Sequence, residues 1–235
     1  MPAQAGTTRR FVMDRRISLD GLAAAFALGY VGLFASLLIF TTDGPDPTLP
    51  PAEEMARAVS ESGAMRASAL LAFAAGLSFA GFAACLVLML ARRGETAAAV
   101  LTALAAAVAT AIDGVSAAAL VVSVEAADRA LSADVFAAFG DLHTAALLFE
   151  LAPLGVVLIL AWRAGLGRPL SWTGLVVGIG CVIASGAAMS EEFDRGPLGI
   201  AVVIWFLGLP LWLIATSIVL LRRREQPDAS PVLVT

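Results

Sequence analysis

Six stretches of this chain are each long and apolar enough to cross a hydrocarbon core, which takes about 20 helical residues to span. They cover residues 22–40, 67–91, 97–124, 141–162, 170–189 and 199–221. Nothing else in the sequence constrains the fold as strongly, because a backbone in lipid must satisfy its own hydrogen bonds and an unbroken apolar run does so as an α-helix. The predicted fold is therefore all-α: a polytopic transmembrane bundle of six helices spanning 21–222, with tails at 1–20 and 223–235. The first run is too long for the apolar part of a signal peptide. Thr41-Thr-Asp-Gly44 also offers no small-x-small cleavage site, so the run is retained as a spanning helix.

Composition agrees. The chain has 235 residues, 60% of them apolar and 14% charged, with a mean hydropathy of +0.89, far from the makeup of a soluble domain. It contains no lysine and no basic stripe, which argues against nucleic-acid binding. Orientation follows from arginine. Of the 15, 11 fall in the two tails and the short turns at 92–93 and 163–168, and only Arg57, Arg66, Arg129 and Arg195 fall on the other side. Both termini are expected to be cytoplasmic, making this a multi-pass protein of the cell membrane with acidic outer loops. The outer segment beginning at Pro51, with Glu53 and Glu54 in its first turn, reads equally as a short surface helix or as a solvated loop.

Against this apolar background a few polar residues stand out. Asp113 lies sixteen residues into its span, roughly 24 Å from the cytoplasmic end, and Glu150 enters its span from the outer side by roughly 14 Å. The two carboxyls are expected at comparable depth, around a cavity in the outer half of the bundle. A charge at the bilayer centre costs about 2.5–3.5 kcal/mol even on the lenient insertion scale, so such groups face the bundle interior and mark functional sites. Paired carboxyls can divide the roles of general acid and general base. The plainer reading is a hydrogen bond from a buried Asp to a neighbouring Ser or Thr.

His143, the single histidine, lies two turns from Glu150 on one face of the same helix. It reads as a proton relay, or more simply as a residue near the helix start bonded to a loop carboxylate such as Asp141. Pro153 removes the amide that would bond the Phe149 carbonyl, leaving that carbonyl free to line the site. Cys181 and Ser185, with Glu192, form a polar stripe on the fifth span, and Ser116 lies a turn beyond Asp113; these complete the candidate substrate pocket of Ser116, Pro153, Cys181 and Ser185. Gly174-x-x-x-Gly178 is a close-packing motif, expected to face the third span. No ligand spacing for a metal and no cofactor motif occurs. The pairing of His143 with Met189 as haem ligands has nothing to support it.

The segment Ala56-Arg-Ala-Val-Ser-Glu-Ser62, Asp141-Leu-His143 and the turn from Trp162 to Gly174 together resemble a family of uncharacterised six-helix membrane proteins found in actinobacteria and other bacteria. The chain departs from that family in its charged Phe149-Glu-Leu-Ala-Pro153 and in lacking an aromatic end to the fifth span. The resemblance implies the fold and no mechanism. From the residues, three functions are open: an acid/base enzyme of cyclase or isomerase type acting on a lipophilic small molecule in the bilayer, a small proton-coupled transporter, or a non-catalytic accessory protein. The sequence does not specify an oligomeric state.

Overall fold

The computed structural model describes residues 18–40, 50–187 and 197–225. Among them every regular element is helical: α1 (Leu19–Phe40), α2 (Pro51–Ser60), α3 (Ser62–Arg92), α4 (Thr96–Asp128), α5 (Ala133–Ala161), a 3₁₀ turn at Trp162–Ala164, α6 (Arg168–Ala187) and α7 (Pro197–Glu225). All but α2 are long and apolar enough to cross a membrane, which is the architecture of a multi-pass integral membrane protein. Each spanning helix packs on the one before and the one after it, and α1 packs on α7. The six therefore form a closed ring with α1 beginning, and α7 ending, at the same end. That end carries Arg92, Arg93, Arg163, Arg168, Arg222 and Arg223; the opposite, acidic end carries Glu125, Asp128 and Asp134.

In lipid the helices gain little from burying apolar surface, so close packing of small residues holds them together. Gly155 of α5 and Gly178 of α6 meet back to back, and a Cβ added at Gly178 would lie 2.6 Å from the Gly155 carbonyl oxygen and 2.9 Å from Ile159. Gly174 leaves room for the Trp212 indole of α7, which donates from Nε1 to the Leu170 carbonyl at 2.8 Å. The glycine motif thus joins α6 to its ring neighbours α5 and α7. This corrects the expectation that it faces the third span, which is α4. A sequential ring puts the third and fifth spans on either side of the fourth.

The two ends are tied differently. At the arginine end, Arg163 bonds Glu95 at 2.8 Å, and Arg223 donates to the Gly165 carbonyl at 2.7 Å. Gly165 sits at φ 77°, where a side chain would also collide with the Arg93 guanidinium. At the acidic end, Arg66 bridges Glu125 at 2.8 Å and Asp128 at 2.5 Å, and Arg57 holds Glu54 and Glu61. The segment beginning at Pro51 is helical, and its Ala58 is buried against Met65, Leu120, Val124 and Phe136 as a cap on α3, α4 and α5. The stretch 125–134, read from sequence as a loop, is largely helix. Ser132 caps α5 by accepting from the Val135 amide at 3.3 Å, so only a short turn separates α4 from α5.

Residues 1–17, 41–49, 188–196 and 226–235 lie outside the described residues. Met189, Glu191, Glu192, Asp194 and Arg195, and most of both expected tails, fall there. Ser18 begins the described N-terminal segment by accepting from the Gly21 amide at 3.1 Å.

Candidate functional site

The antiparallel pair α4·α5 carries both polar positions of interest and is tied by side-chain hydrogen bonds at two levels: Ser123 Oγ donates to the Phe136 carbonyl at 3.1 Å nearer the acidic end, and Ser116 meets His143 deeper in the pair. His143 of α5 is buried, with Nδ1 2.8 Å from Ser116 Oγ and 3.0 Å from the Ser116 carbonyl oxygen on α4; the Ser116 hydroxyl donates in turn to the His143 carbonyl at 3.4 Å. A neutral imidazole protonated on Nδ1 satisfies all three contacts: Nδ1–H is shared between the two Ser116 oxygens and the hydroxyl proton goes to the backbone. Asp141, expected beside the imidazole, is instead exposed.

From this clasp the carboxyls can be placed. Asp113 is three residues from Ser116, about 4.5 Å toward the arginine end, and Glu150 is seven residues from His143, about 10.5 Å in the same direction. Helical side chains lean toward their own N-terminus. On antiparallel helices, Asp113 therefore leans toward the arginine end and Glu150 toward the acidic end, which closes the offset of about 6 Å between their backbones. The result is that both carboxyls line one cavity of about 210 Å³ and lie within electrostatic reach of each other.

The wall of this cavity draws on five helices of the ring. From α1 it takes Tyr30, Phe34, Leu37 and Leu38, and from α7 Trp205 and Phe206; α3 adds Ala72, Ala75 and Gly76, and α5 adds Leu147, Leu151 and Leu154 beside Glu150. The aromatic rings support one another: Tyr30 stacks on Phe34 at 5.9 Å between centroids, and Phe206 meets Phe34 and Trp205 edge-on at 5.5 and 6.0 Å. Among the described residues no arginine and no histidine lies in the wall. Asp113 is only 3% exposed, and its carboxyl occupies the space a side chain at position 76 would fill. Its Oδ2 has no hydrogen-bond partner, and neither does the buried Trp205 Nε1. A donor and an acceptor are thus both left open in residues of one cavity wall, a costly arrangement unless something else completes it.

The remaining candidates sit elsewhere. Ser116 and His143 are engaged with each other a turn away. Pro153 lies within α5, which continues through it without a break, and Phe149 projects into an apolar groove between α4 and α5 on the outside of the bundle. Cys181 and Ser185 are buried on α6 and are not in the wall. Among the described residues no three His, Cys, Asp or Glu come together as a metal site.

Sequence reasoning missed Tyr30, Trp205 and Gly76. Tyr30 had a usable signal: it is the one tyrosine in the chain, with a hydroxyl midway along an apolar run. Gly76 had none, since Ala74-Ala-Gly76 looks like any small-residue seam. No known family model, curated protein or solved structure matches this chain, so the site is read from its own geometry.

Proposed function

We propose that this is an intramembrane acid–base enzyme, of isomerase or cyclase type, acting on a lipophilic substrate held between Asp113 and Glu150. The observation that carries the reading is the shared cavity, in which two carboxyls, without a countercharge among the described residues, stand in an otherwise apolar and aromatic wall. One carboxyl in its acid form gives a proton to the substrate, and the other, ionised, removes one from a neighbouring carbon. The pair ends with the same number of protons it began with, so the chemistry needs no redox partner. Leu38 and Phe206 belong to the cavity wall and are also exposed on the flank of the bundle, which supports entry from the bilayer between α1 and α7. In this reading His143 and Ser116 position the two carboxyls, and Cys181 and Ser185 support the wall from behind.

Proton-coupled transport through the same carboxyls is the alternative, and the closed ring of helices around the cavity favours it. To separate the two, membranes bearing the wild type, Glu150→Gln or Asp113→Asn can be incubated in deuterated buffer and their lipids profiled. An acid–base enzyme places deuterium on carbon in a lipid product that both variants fail to make. Equal lipid profiles and no carbon-bound deuterium in all three, with the proteins equally folded, would exclude catalysis and leave transport or an accessory role.

A further inference from the structure

Among the described residues the cavity offers three oxygen-bearing side chains and little else that is polar. Tyr30 comes from α1, Asp113 from α4 and Glu150 from α5; α3 and α7 add no titratable group, only Ala72, Ala75 and Gly76, and Trp205 and Phe206. Among the described residues Asp113 Oδ2, buried in this wall, has no hydrogen-bond partner. Two carboxyls whose surroundings hold no cationic side chain attract positive charge strongly, because water is scarce and the effective dielectric is low. The nearby aromatic rings add to this, since their π faces attract cations most when the cation is stripped of water.

Size and coordination narrow the class of cation. A bare calcium or magnesium ion needs six or more oxygens, and this wall offers three side chains among hydrocarbon. A cavity near 150 Å³ holds a benzene-sized ligand, so about 210 Å³ accommodates about eight or nine non-hydrogen atoms. Its wall runs along α1 from Tyr30 to Leu38, about 12 Å, giving a mean cross-section of about 18 Å², close to that of one extended hydrocarbon chain. A bulky quaternary head does not suit such a slot. A primary ammonium does, and its three N–H groups match the three oxygen-bearing side chains.

We infer that the cavity binds a lipophilic primary amine in its ammonium form, with the nitrogen among Tyr30, Asp113 and Glu150 and the alkyl chain leaving past Leu38 and Phe206 toward the bilayer. This rests on the Asp113–Glu150 cavity of the proposed function and names the ligand class for it. It explains why two carboxyls are kept without an arginine: the ligand supplies the opposing charge. It also makes the ligand and protons competitors for the same two groups.

The test uses the full-length protein in lipid nanodiscs, with decylamine as the probe and decanol and decanoate, which share its chain, as controls. Binding is read by calorimetry at neutral pH, where an alkylamine is charged. Decylamine is expected to bind saturably, and decanol at least about tenfold more weakly, because it lacks the charge that the carboxyls select. Glu150→Gln and Asp113→Asn should each remove most of that preference. If either variant fails to fold, a pH series on the wild type serves instead, with decylamine affinity falling as the carboxyls take up protons while the amine stays charged. Equal binding of decanol, tighter binding of decanoate, or a decylamine affinity indifferent to both carboxyl variants and to acid would overturn the proposal. Decylamine binding without any lipid conversion would remove the enzyme reading and leave this one intact. Lipid conversion that decylamine neither joins nor inhibits would remove this one alone.

Discussion

Within a few turns of each other α4 and α5 carry two polar pairs built on opposite plans. In the first, Ser116 and His143, the imidazole Nδ1 and the serine hydroxyl are paired with each other or with the backbone. In the second, Asp113 and Glu150 share a cavity, and Asp113 Oδ2 is left without a partner. A satisfied polar contact in lipid adds modest stability and fixes register. An unsatisfied one costs stability and is retained where it serves something besides the fold. On the proposed reading the first pair holds the helices and the second acts on a ligand, and the contrast can be broken by experiment.

The largest effect should come from the clasp. His143→Ala removes a buried ring and with it the N–H that the Ser116 oxygens accept, so thermal or chemical unfolding in detergent should show a loss of about 2–4 kcal/mol. Glu150→Gln, two turns away, should leave stability within about 1 kcal/mol or raise it, because the amide keeps the shape of a half-buried side chain and cannot carry a charge among apolar neighbours. Comparable destabilisation by the two substitutions would mean that both pairs are structural.

Gly76→Ala probes the boundary between the two plans. A methyl group at position 76 overlaps the Asp113 carboxyl, which is the end of a short side chain able to rotate into the cavity. Stability should fall by about 1–2 kcal/mol, the usual cost of moderate overpacking. Ligand binding or turnover should fall far more, since the rotated carboxyl takes up ligand space. A variant that keeps full activity would show that the position of Asp113 in this cavity is incidental.

These residues also show what the sequence could convey. The six spans were legible because an apolar run of the right length leaves a chain in lipid few alternatives. The placing of Asp113 and Glu150 near one level was legible in part: the arginine-end bounds of both spans were readable and helix rise is uniform, but their acidic ends were not, since α5 begins at Ala133 and not at Asp141. Neighbour relations were not legible. Gly174 and Gly178 announce close packing without naming a partner, and only the sequential ring assigns them to α7 and α5. Tyr30 and Trp205 could not be joined to the carboxyls, since α1, α5 and α7 are far apart in sequence and meet only when α7 closes the ring onto α1. The end of α4 was misjudged because charged Glu125 and Asp128 look like loop residues, whereas Arg66 of α3 neutralises both and the helix continues through them.

The smallest expected effect tests the clasp from its other side. Asp141 precedes His143 by two residues, and their nearness in sequence suggests a carboxylate–imidazole pair. A two-residue step on a helix turns side chains by about 200°, so the two point to nearly opposite faces. The structure agrees: Asp141 is exposed, while His143 is buried against Ser116. Asp141→Asn should therefore change stability by less than about 0.5 kcal/mol, as expected for an exposed site without a special contact. If Asp141→Asn instead reproduced a substantial part of the His143→Ala loss, the imidazole would be answering to Asp141. The register between α4 and α5, and with it the meeting of Asp113 and Glu150, would then have to rest on the bond from Ser123 to the Phe136 carbonyl.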